Sequence, residues 1–94
     1  MAMFLLFGKY SFEALEKISA SRTKDAKGII GSCDGILKAA YTLLGETDLI
    51  LVTEFPNIEK AMKASVIMSK KYGIAFKTAP AINVEEFDKL LRKK

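Results

Sequence analysis

The sequence predicts an α+β fold in which four strands make one antiparallel sheet and two long helices cover one of its faces. Three observations carry this. Apolar residues gather in four strand-length segments, helical spacing fills the two longest intervals between them, and Ser, Asn, Gly and Pro stand where the segments meet. The resulting order is β-α-β-β-α-β with a short last helix, and the right-handed crossover rule turns such a chain into the ferredoxin-like arrangement.

Taken in order, Met3 to Tyr10 is apolar at both parities, with Phe4, Leu6 and Gly8 on one side and Met3, Leu5 and Phe7 on the other. That suits a strand covered on both faces. Ser11 offers a capping hydroxyl and Glu13 a charge for the positive helix end, so a first helix is expected from about Phe12 to Cys33. Asp34-Gly35 turns the chain into a strand over Ile36 to Leu44. Gly45-Glu46-Thr47 connects it to Asp48 to Phe55, a run of strand formers that Pro56 ends, and the two read as a hairpin. Asn57 caps a second helix whose inner side is expected to carry Ile58, Ala61, Met62, Ser65, Val66, Ser69 and Tyr72, and Gly73 terminates it. Ile74 to Ile82 is the fourth strand. Asn83-Val84-Glu85-Glu86 then resembles a capping box for a last helix through Leu91.

Ninety-four residues without a break in composition fit a single domain. Net charge is +4, but lysines are spread along the chain and the densest basic cluster is Arg92-Lys93-Lys94. This describes a solvated surface rather than a nucleic-acid site. No apolar run is long enough to span a membrane, and the apolar start lacks the basic region and cleavage site of a signal peptide. Cys33 stands alone and cannot form an intramolecular disulfide, which points to the cytoplasm. With no histidine the chain supplies no His-ligated haem and no imidazole base, and one cysteine builds no zinc site. No glycine-rich phosphate loop is present either. No cofactor or metal is expected.

If both long helices lie on one face of the sheet, the other face of a monomer should be polar. It is not. Leu37, Ala39, Tyr41 and Leu43 oppose Ile36, Ala40 and Leu44, while Leu49 and Leu51 oppose Ile50 and Val52. Large apolar residues remain on the open side whichever parity faces the helices, so sheet-to-sheet self-association is expected. The alternative is a last helix folded over that face.

Three segments, FLLFGKYSFEALEKISASRTKDA, GETDLILVTEFPNIEKAMKAS and KKYGIAFKTAPAINVEEFDKL, together resemble GYD-domain proteins, small prokaryotic proteins without an assigned function. The resemblance covers nearly the whole chain. Thr47 stands where the family's Gly-Tyr-Asp signature has its tyrosine, although Gly45 and Asp48 keep family-like places, so no role of that tyrosine carries over. The family in turn resembles the dimeric α/β barrel group, with its cofactor-free monooxygenases, isomerases, haem enzymes and ligand sensors. The resemblance therefore implies assembly more than one chemistry.

The informative anomaly is Arg22. Leu15, Ile18, Arg22, Ala26, Ile29 and Cys33 fall on one helical stripe, which places an arginine amid the buried face of the first helix. Arginine keeps its charge and needs a carboxylate, a carbonyl or a ligand anion. Asp48 and Glu46 are the candidate partners for an ion pair, and the other reading is an anion site shared with Tyr10 or Ser65. Ser65 and Ser69 line the inner side of the second helix, where their hydroxyls either face a pocket or bond back to the preceding turn. The residues support a homo-oligomeric domain that binds or senses a small molecule, anionic or aromatic, through Arg22, Asp48, Tyr10, Glu46, Ser65 and Ser69. Two alternatives are a cofactor-independent enzyme, with Asp48 or Glu46 as base and Arg22 stabilising an oxyanion, and a protein-interaction module.

Overall fold

The chain folds in the order β1 (Ala2–Tyr10), α1 (Phe12–Glu16), α2 (Ala20–Ser32), β2 (Ile36–Thr42), β3 (Leu49–Phe55), α3 (Ile58–Tyr72), β4 (Ile74–Ala81) and α4 (Val84–Leu91) in a computed structural model. The structure describes residues 1–92, so Lys93 and Lys94 of the C-terminal basic cluster lie outside the described residues. The four strands form one antiparallel sheet in the order β2-β3-β1-β4. This is the ferredoxin-like fold.

Alternation along the central strands sorts the core. Phe4, Leu6, Leu51, Thr53 and Phe55 are buried under the helices, and Met3, Leu5, Phe7, Ile50 and Val52 point the other way. Ile30 of α2 and Cys33 at its C-terminal cap, with Ala61, Ala64 and Met68 of α3, complete the core. The Phe4 and Phe55 rings meet edge to face at 6.1 Å. Thr53 is fully buried, and its hydroxyl donates to Phe4 O at 2.7 Å, so its burial leaves no polar atom unpaired.

Three expectations need correction. The first helix is broken: α1 ends at Glu16, and Ser19, extended at φ −160° and ψ 157°, starts α2 by accepting from the Arg22 N–H. Leu15 and Ile18 are consequently exposed rather than part of a buried stripe. Strand β2 stops at Thr42 and shifts register between Leu37 and Ala39. Leu37 therefore faces the helices with Thr53, while Ala39 and Tyr41 pair with Val52 and Ile50 on the open face. In α3 the core face is Ala61, Ala64, Ser65 and Met68, and Ile58, Met62 and Val66 are exposed. Small residues at 61 and 64 let the helix settle on the sheet along that line. The alternative reading of the open face, a last helix folded over it, is not what forms, since every residue from Ile82 to Arg92 is exposed.

Candidate functional site

Under α2 the sheet is imperfectly filled. A cavity of about 260 Å³ lies between that helix and β2, β3 and β4, walled by Leu37, Leu49, Leu51, Met68, Ile74 and Phe76. Its polar lining comes from the start of α2, through Ser19, Arg22 and Thr23, and from Tyr10, Thr42 and Tyr72. Apolar walls with a few convergent polar groups at one end are the usual make-up of a small-molecule site.

The helix break positions Arg22. Because α2 starts afresh at Ser19, Arg22 sits in its first turn and reaches back to α1, where Nη1 donates to Ala14 O at 2.7 Å. The guanidinium also lies 5.4 Å from the centre of the Tyr10 ring and 5.9 Å from that of Tyr72. It is half-buried, and among the described residues no carboxylate forms a salt bridge with it. A guanidinium has five N–H donors, so one carbonyl leaves most of them free. The first turn of α2 carries no acidic residue, and Arg22 thus adds to the positive helix end instead of offsetting it. The lip of the cavity is electropositive.

Tyr72 is held from the other side. Its hydroxyl donates to Asp25 of α2, and Lys71 pairs with the same carboxylate at 2.7 Å. Burial, with the Asp25 carboxylate accepting its proton, pushes the Tyr72 phenol well above the ordinary tyrosine range. The Lys71 and Tyr72 hydrogen bonds hold the Asp25 carboxyl below its usual value. Tyr72 therefore stays a neutral donor, and α2 is tied to the end of α3.

The other expected site residues lie elsewhere. Asp48 is not the partner of Arg22: it accepts from the Tyr10 N–H at 3.0 Å and pairs with Lys9 at 3.4 Å. Its own backbone N–H donates to Gly8 O, and Lys9 also reaches Gly45 O. Gly45 takes φ +139°, a conformation open to glycine, so Gly45 and Asp48 fold the hairpin end against β1. Glu46 and Thr47 border a shallow groove on the open face with Phe7, Lys9 and Lys77. Ser65 is buried, donating to Ala61 O at 2.9 Å and meeting the Thr78 hydroxyl at 2.7 Å, which is the back-bonded arrangement. Ser69 borders a groove between α3 and β4. The structure thus unites Tyr10 and Arg22, and adds Tyr72, Ser19 and Thr23. Tyr72 has a sequence signal, as a phenol on the expected inner side of the second helix next to the glycine that ends it. Among the described residues the cavity lining holds no carboxylate or thiol.

Comparison with known proteins bears on the fold and the family. Residues 4–91 match the family model described as GYD domain. Among solved structures, the crystal structure of the Mycobacterium tuberculosis leucine response regulatory protein, LrpA, is similar over 88% of this chain, with a TM-score of 0.57 at 8% sequence identity. The chain spans 51% of that protein's length. No curated protein matches the sequence.

Proposed function

The chain belongs to the GYD-domain family, and from that premise we propose that it is a homo-oligomeric domain that binds or senses a small apolar or aromatic carboxylate. One observation carries the reading: an arginine that pairs with no carboxylate among the described residues, flanked by two tyrosine rings, stands at the lip of an apolar cavity. The ligand's hydrocarbon part fills the space over Leu51 and Met68. Its carboxylate takes the free N–H donors of Arg22, with the Ser19 and Thr23 hydroxyls beside it. At about 260 Å³ the cavity fits a molecule below drug size. Asp48 and Glu46, the bases that an enzyme would need beside Arg22, stand outside the cavity lining.

Thermal denaturation with benzoate, phenylacetate and 4-methylpentanoate, each beside its amide, tests this. A ligand present at about 100 times its Kd adds about 2.7 kcal/mol, which raises Tm by roughly 10–20 °C in a domain of this size. The carboxylates should shift Tm and the amides should not, and Arg22→Gln should abolish the difference while remaining folded. A flat response across the series, or equal shifts in wild type and Arg22→Gln, would overturn the reading.

A further inference from the structure

Besides the open face of the sheet, two apolar surfaces are left uncovered among the described residues, and they match. The first is α4. Val84 is 72% exposed, Phe87 50% and Leu90 64%. With Leu91 these side chains fall within about a third of the helix circumference, and Glu85, Glu86, Asp88 and Lys89 occupy the rest. A helix of eight residues is marginal without packing, so a stripe this well sorted calls for a surface to lie on.

The second is a groove of about 210 Å³ between α3 and β4, bordered by Phe76 and Thr78 and walled by Ile58, Met62 and Val66. Those three recur at i, i+4 and i+8 along α3, a continuous ridge of the kind that receives an amphipathic helix. By helical spacing Lys63 and Lys70 follow on the outer side of that ridge. Three acids border the stripe, and beside the ridge Lys63 and Lys70 outnumber Glu59, so the net charges are complementary.

The chain does not bring its own halves together. Asn83, extended at φ −73° and ψ 161°, opens α4, no residue of which is buried. The molecule reaches 52 Å along its longest axis, and its radius of gyration is 14.3 Å, against about 12 Å for a compact chain of this length. Strand β4 is an edge strand. In a face-to-face pair of sheets with a two-fold axis across the strands, each β4 lies over its partner's β4 running the opposite way. The Ala81 end of one strand then stands over the end of the other that carries Phe76, and α4 passes around that edge towards the groove.

We propose that α4 is an exchanged arm, its Val84, Phe87, Leu90 and Leu91 stripe seated in the α3–β4 groove of a second copy of this chain, reciprocally. The inference rests on the pairing of open faces in the proposed assembly. Two measurements test it, both in the full-length chain with Cys33→Ser. In the first, a chain carrying Leu90→Cys is mixed under mild oxidation with a longer-tagged chain carrying Met62→Cys, with Lys89→Cys as the control on the opposite side of α4. A disulfide between the two chains, several-fold more abundant than with Lys89→Cys, supports the exchange. A disulfide formed within one chain of the Met62→Cys, Leu90→Cys double variant and absent from the mixture overturns it, as does no disulfide in either. In the second, ending the chain at Ile82 should leave the far-ultraviolet circular dichroism of the remaining elements intact and raise the self-association Kd at least about tenfold in sedimentation equilibrium. An unchanged Kd overturns the arm while sparing the open-face assembly. A wild-type chain that stays monomeric overturns both.

Discussion

Gly35 follows a residue in the left-handed region, Asp34 at φ 65°, at the turn that brings the chain from α2 back to the sheet. A Cβ built at Gly35 would stand 2.4 Å from Phe55 Cε1 and 2.6 Å from Cδ1. Phe55 is fully buried and packed edge-on against Phe4, so the ring has no space to yield. Gly35→Ala is therefore expected to destabilise by about 1–3 kcal/mol, seen as a lower denaturation midpoint at unchanged slope; an unaltered midpoint would show that the ring relaxes freely. The sequence marks this position as a turn but not as a close approach, because Phe55 is twenty residues away in the chain. Arg22 shows the same limit. Its charge within an apolar stripe is legible as an anomaly, whereas its partner, Ala14 O, is a backbone atom that no residue pattern singles out.

Among elements, the break between α1 and α2 decides where the site lies. Lys17, Ile18 and Ser19 interrupt a pattern whose apolar spacing continues across them, so periodicity alone reads one helix. The deciding signal is that Ser11 and Ser19 are both caps: one accepts from the Ala14 N–H and the other from the Arg22 N–H. Ser19→Ala removes the second cap and should cost about 1 kcal/mol. Because the cap also fixes where α2 begins, the variant should weaken carboxylate binding by displacing Arg22, even where the protein remains folded. Calorimetric titration of the variant at a temperature well below its Tm checks this, and unchanged affinity would detach the cap from the site. Element order, the caps at Asn57 and Asn83 and the stop at Gly73 were all legible, since each is a local rule. The shift at Leu37 to Ala39 and the rotation of α3 onto Ala61 and Ala64 were not, because pairing and packing with distant strands set both.

At the scale of the whole molecule, the open face of the sheet presents Met3, Leu5, Phe7, Ile50, Val52 and Tyr41, with Lys9, Lys77 and Glu54 around them. Among the described residues no element covers it, α4 included. Apolar parity on both sides of β1 and β3 is the sequence feature that foretold this, and it survives the corrections to β2 and α3 because it belongs to the two central strands. Burying such a face against a second copy is favourable at roughly 25 cal/mol per Å² of apolar surface. A charge at its centre removes that gain at little expense to the monomer, where the position faces water. Ile50 pairs with Phe7 near the middle of the face, so Ile50→Glu separates assembly from folding. Sedimentation velocity should show the variant at monomer mass under conditions where the native chain sediments as an oligomer, with its circular dichroism preserved. Retention of the oligomer would place the interface elsewhere on the surface, and simultaneous loss of secondary structure would mean that the strand needs its partner to fold.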